Sequence, residues 1–177
     1  IETETWLLHP RHVQAAGIAL RPPFNGTYRL TSFFDHYHPV GQGNPDPDPG
    51  ITIYTGEHST DHNPYAYGGH GGYDWGMPEG TQILAAADGV VVARGWLDPF
   101  GRRIVIDHGN GYYTLYAHLL NYQVGLGYWV RTGDLIGWSG DSGAAGQYHL
   151  HLTVYRGSYA SNNYVTDPFG WRGSHPD

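Results

Sequence analysis

The apolar positions of this chain fall in short runs rather than in long helical stripes. Gln82–Ala86, Val90–Gly95, Arg103–Asp107, Tyr112–His118, Leu135–Trp138 and His149–Tyr155 are rich in Val, Ile, Tyr and Thr. Turn signals separate them at Asp88-Gly89, Gly109-Asn110-Gly111 and Ser139-Gly140. Such segments predict strands, and no stretch carries a sustained 3.6-residue apolar period. Upstream, residues 28–34 (Tyr-Arg-Leu-Thr-Ser-Phe-Phe) have strand composition, and Ile51–Thr55 is a shorter candidate. The weakly apolar stretch from Val13 to Leu20 is stopped by Pro22-Pro23. Asn44-Pro45-Asp46-Pro47-Asp48-Pro49-Gly50 admits neither a helix nor a central strand. The prediction is an all-β, antiparallel domain over residues 28–171 without an internal repeat. An irregular N-terminal extension at 1–27 packs on or flanks it, a loop-rich insertion occupies about 35–69, and 172–177 is a short tail.

Composition narrows the function classes. A chain of 177 residues with 40% hydrophobic and 14% charged residues can bury the core of one ordinary domain. Its 27 glycines suit a β protein with many tight turns. Nine Lys and Arg against 16 acids give a net charge of -7, which disfavours nucleic-acid binding through phosphates. The absence of cysteine removes disulfides, thiolate metal sites and cysteine nucleophiles together, so any metal must be held by His, Asp or Glu. No apolar run approaches the roughly 18 residues of a membrane span. The opening Ile1-Glu2-Thr3-Glu4 is unlike a signal peptide, as expected of a mature secreted chain. A monomer is the default expectation.

Twelve histidines remain to be explained, and three segments concentrate the chemistry. In His70-Gly71-Gly72-Tyr73-Asp74, four residues of extended chain would hold the two polar side chains roughly 13 Å apart. The Gly-Gly pair allows a bend that brings them together. In His149-Leu150-His151-Leu152-Thr153-Val154, strand alternation puts both histidines and Thr153 on one face and the aliphatics on the other. An exposed β face would give the same pattern. In Tyr112-Tyr113-Thr114-Leu115-Tyr116-Ala117-His118, His118 ends a strand and shares a face with Tyr112, Thr114 and Tyr116. Strand geometry does not say which of His149 and His151 would take an ion.

Together these segments resemble the lysostaphin-type zinc endopeptidases, which hydrolyse bacterial peptidoglycan, over about residues 70–155. The family's H-x-x-x-D and H-x-H motifs stand here as His70/Asp74 and His149/His151, with Tyr116-Ala117-His118 between them. Gly76–Thr81 leading into Ala86–Val91, Gly133–Gly137 preceding Gly140–Gly143, and Asp167-Pro168-Phe169 are similar to the family as well. The resemblance implies the family's antiparallel fold and one zinc ion per chain held by His70, Asp74 and His151, with an open position for water. It implies that His118 and His149 lie beside the metal without binding it. With no H-E-x-x-H motif and only four glutamates, His149 is the expected base and His118 the expected donor to the oxyanion or leaving amine; the two roles are exchangeable. The implied substrate is a peptidoglycan peptide, and the implied location is extracellular, periplasmic or cell-wall associated.

The insertion departs from the family pattern. Its Asp35, His36, His38, His58, Asp61 and His62 follow no metal-ligand spacing and are read as a polar loop framing the substrate groove. Asn44–Gly50, with its three prolines, reads as a stiff linker rather than a calcium loop. Tyr65, Tyr67, Tyr73, Trp75, Tyr112, Tyr113 and Trp138 are groove or core aromatics. Competing readings are a non-catalytic wall-binding or hydrolase-activating relative, a histidine phosphocarrier and a carbohydrate-binding domain. A relative that had lost its metal would lack ligands, and all three are here. The other two leave Asp74 or the order of the histidines unexplained.

Overall fold

Branched and aromatic runs bounded by glycine turns pair edge to edge, because their side chains fit a pleated, half-buried surface. The computed structural model describes residues 18–32, 52–53, 66–67, 70–109, 111–160 and 165–166. Among these residues every regular element is a strand, so the all-β antiparallel expectation is met. No helix among them is long and apolar enough to cross a membrane.

The main sheet runs β1 (Arg29–Ser32), β4 (Tyr73–Gly76), β12 (His149–Arg156), β8 (Tyr112–Ala117), β7 (Gly101–Asp107), β6 (Gly89–Leu97), β10 (Trp129–Val130). All these pairings are antiparallel, and β13 (Val165–Thr166) also pairs with β12. A second sheet has the order β5 (Gln82–Leu84), β11 (Leu135–Ser139), β9 (Leu119–Tyr122). β2 (Thr52–Ile53) and β3 (Ala66–Tyr67) form a separate pair. Residues 18–26 lie against the domain: Leu20 and Phe24 are buried, Leu84 N–H donates to Pro23 O and Arg21 N–H to Ala86 O.

Ile104, Val105 and Ile106 are consecutive and all fully buried, so both faces of β7 are covered. β12 is covered in the same way. Leu150, Leu152 and Val154 are core residues, while His151 (6% exposed) and Thr153 (1% exposed) on the other face are buried too. The exposed-face reading is therefore excluded for His151, while His149 at the start of the strand is half-buried. Tyr73, Trp75 and Tyr112 are buried, whereas Tyr113 and Trp138 are half-buried. Side chains of Tyr65 and Tyr67, like the six polar residues singled out in the insertion, lie outside the described residues.

One strand ends sooner than its composition predicts. β8 stops at Ala117, and His118 has φ of +57°, a left-handed conformation uncommon for a residue with a side chain. The alternation shared by Tyr112, Thr114 and Tyr116 breaks there, and the chain passes into β9 of the second sheet. Those three residues face the core, while the turn delivers His118 to β12.

Candidate metal centre

Adjacent strands bring the predicted residues together. β4 and β12 pair with Asp74 directly opposite His151, and β8 flanks β12 on its other side with Ala117 opposite His151. His70 precedes β4 across the Gly71-Gly72 bend. At Gly72 there is no room for a side chain: a Cβ would overlap the carbonyl oxygen of Leu152 and lie 3.0 Å from Cε1 of His151. This backbone approach allows His70 to turn back over its strand.

Three ligand atoms converge. His70 Nε2 is 3.0 Å from His151 Nδ1 and 3.3 Å from Asp74 Oδ1, and His151 Nδ1 is 2.8 Å from Asp74 Oδ1. These are the residues that form a metal-competent group among those described. Zinc with ligands at about 2.0–2.1 Å needs tetrahedral edges of about 3.3 Å, so this triangle must open by at most about 0.5 Å. The outer ring nitrogens are held as well. His70 Nδ1 is 3.1 Å from Ser32 Oγ of β1, and His151 Nε2 is 2.7 Å from Thr153 Oγ1. With a cation bound, each outer N–H would donate to a hydroxyl oxygen, and both inner nitrogens would turn lone pairs to the ion in place of the hydrogen bonds they make to Asp74. Two imidazole nitrogens and a carboxylate oxygen suit zinc, and the set fits it.

Burial by itself would raise the Asp74 carboxyl, but hydrogen bonds to His151 and His70 outweigh it and hold the group well below the usual carboxylate range. Burial pushes the His151 imidazole down, partly opposed by Asp74. Asp74 is thus biased towards a carboxylate and His151 towards a neutral ring.

The two remaining histidines stand beside this triangle. The His118 ring centroid is 4.4 Å from that of His149 and 6.0 Å from that of His151. His149 Nε2 lies 4.0 Å from Asp74 Oδ2. Burial lowers the His118 pKa to about 4, opposed in part by its hydrogen bond to Ser142 O, so the ring is neutral at pH 7. Phe100 closes one side, its ring 5.6 Å from that of His151. All five predicted site residues are brought together. Ser32 and Phe100 carry no local signal in the sequence, whereas Ser142 lies within the family-like Gly140–Gly143 segment and Thr153 sits two residues beyond His151 on its own face.

The comparisons agree with this geometry. Residues 68–165 match the model of peptidase family M23. The DD-carboxypeptidase/endopeptidase Mpg of Neisseria meningitidis is 42% identical over 82 residues, 46% of this chain and 19% of that protein. The murein hydrolase activator EnvC of Escherichia coli is 37% identical over 87 residues, 49% of this chain and 21% of that protein. The chain therefore spans about a fifth of the length of these two curated relatives. The crystallised catalytic domain of lysostaphin from Staphylococcus simulans superposes with a TM-score of 0.60 at 29% identity, covering 80% of this chain and 89% of that one. With the family model spanning more than half the sequence and enclosing every residue of the triangle, the chain belongs to peptidase family M23.

Proposed function

We propose that this chain is a zinc metalloendopeptidase that hydrolyses peptide bonds in the stem peptides or cross-links of bacterial peptidoglycan, acting outside the cytoplasm. The observation that carries the reading is the triangle of His70 Nε2, Asp74 Oδ1 and His151 Nδ1, with neutral His118 and the His149 ring beside it. Three ligands leave a fourth position open, the arrangement of a catalytic rather than a structural zinc site. Zinc held there supplies Lewis acidity, lowering the pKa of water to about 7 and polarising a carbonyl.

The remaining chemistry falls to the chain's own side chains. His149 directs Nε2 towards the Asp74 edge of the centre, where it is suited to take the proton of the attacking water. Neutral at rest, His118 is first an acceptor, able to orient water or the scissile amide. Its low proton affinity makes it a ready donor to the leaving amine once it carries a proton. Phe100 against His151 keeps one flank of the centre apolar, which strengthens these polar interactions by excluding water. The relatives named as an endopeptidase and as a murein hydrolase activator support a peptide bond of peptidoglycan as the substrate class.

The test is elemental analysis of the purified chain beside hydrolysis of purified peptidoglycan. About one zinc per chain is expected, with new amino termini released, release stopped by a chelator and restored by added zinc. A chain that binds no zinc and leaves peptidoglycan intact overturns the proposal and favours an activator role, as the name of the EnvC relative describes for that protein.

A further inference from the structure

Both histidines beside the triangle hydrogen-bond through Nδ1 to the same short loop. This loop, residues 140–148, joins β11 to β12. His118 Nδ1 is 2.8 Å from the carbonyl oxygen of Ser142, and His149 Nδ1 is 2.6 Å from that of Gln147. A carbonyl oxygen can only accept, so each Nδ1 carries a proton. When the rings are neutral, each Nε2 is therefore a bare lone pair. A base needs that tautomer; the other would present an N–H where a proton has to be received.

The loop is held at both ends. Ser142 Oγ donates to Leu119 O and accepts from Arg102 N–H, each at 2.9 Å, tying the loop to β9 and β7. A Cβ on Gly101 would overlap the Ser142 carbonyl, so that oxygen is fixed from behind. Asp141 Oδ2 accepts from Gly146 N–H at 2.9 Å, while Asp141 O accepts from Ala144 N–H and Ala144 O from Gln147 N–H. Asp141 thus folds the segment that aims the Gln147 carbonyl at His149.

Building on the proposed function, we infer that Asp141 and Ser142 are positioning residues that use two backbone carbonyls of one loop to set the tautomer of both His118 and His149. Neither side chain touches the metal triangle or the reacting atoms. Each acts through a carbonyl on a histidine.

The test compares Ser142→Ala and Asp141→Ala with the zinc-loaded wild type. Ring 15N NMR reads the tautomers, and steady-state kinetics use a soluble cross-linked muropeptide. In wild type both rings are expected as the Nδ1–H form. Ser142→Ala should admit the Nε2–H form at His118, and Asp141→Ala should admit it at His149. Each should lower kcat by about 10- to 100-fold, the scale of a misplaced catalytic group, with KM within twofold and zinc content unchanged. Gly101→Ala pushes on the Ser142 carbonyl directly and should reproduce the His118 signature. An Nε2–H tautomer at either ring in wild type overturns the inference. So does a fall in kcat with both tautomers retained, or tautomers and kcat unchanged in both variants. The NMR result does not require turnover, so a wild type that never cleaves muropeptide refutes the proposed function while leaving the tautomer assignment separately tested.

Discussion

Replacing Gly72 by alanine asks whether the contact between the start of β4 and β12 builds the metal centre. The new methyl would overlap the Leu152 carbonyl oxygen and sit 2.9 Å from its carbon and 3.0 Å from Cε1 of His151. Non-bonded carbons settle about 3.5–4.0 Å apart, so the two segments must separate by about 0.5–1 Å. Overpacking of this kind costs about 1–3 kcal/mol of folding stability. The centre should respond as well, because ligand distances tolerate only about 0.2 Å. Parting β4 from β12 draws Asp74 and His70 away from His151, so zinc affinity should fall at least about tenfold, or 1.4 kcal/mol. Competition against a chromophoric chelator measures the affinity, and urea unfolding in excess chelator measures the stability without metal linkage. Gly125→Ala is the control: nothing lies within 4 Å of its Cβ, and it should change stability by less than about 0.5 kcal/mol. A Gly72→Ala protein that keeps its zinc affinity within twofold of wild type would show that this contact does not build the centre.

Three further outcomes follow from contacts around the centre and in the core. Thr153→Val removes the hydroxyl beside His151 Nε2 with little change of shape, and should weaken zinc binding by about 10- to 100-fold in the same competition assay. Tyr116→Phe removes the hydroxyl that accepts the buried Ala86 N–H at 2.9 Å, and should cost about 1–3 kcal/mol in urea unfolding; a loss below about 0.5 kcal/mol would contradict that role. His108 donates through Nδ1 to Asp88 O and contacts Thr114 through Nε2, and burial holds its pKa below the usual 6.5. Between the folded value and 6.5 the unfolded chain binds the extra proton, so stability that is full above pH 6.5 is lost as pH falls through the folded pKa. Measured in chelator, His108→Gln should flatten the decline in stability from pH 7 to pH 5; an unchanged slope would remove His108 from the acid response.

Strand content was legible because composition and turn chemistry agree locally. Val90–Gly95 and His149–Tyr155 read as strands and form β6 and β12. The motif residues of the centre were legible by resemblance, and the cross-strand register of Asp74 and His151 gives that resemblance a geometric basis. What the sequence could not reveal depends on distant packing. Ser32 meets His70 from β1, across the insertion. The left-handed turn at His118 looks like ordinary strand, since no glycine or asparagine marks it. The burial of His151 and Thr153 reflects neighbours on both sides of β12, which alternation along one strand cannot report. The carbonyls of Ser142 and Gln147 are backbone groups, and no residue type advertises where they point.

On the proposed function, His151 of the His149/His151 pair holds the metal and His149 serves the reaction. Zinc content and peptidoglycan hydrolysis, measured side by side on His151→Ala and His149→Ala, test it most directly. His151→Ala should lose both zinc and activity, whereas His149→Ala should retain about one zinc per chain and lose turnover. Equal zinc loss in both variants, or hydrolysis that survives in His149→Ala, would contradict it.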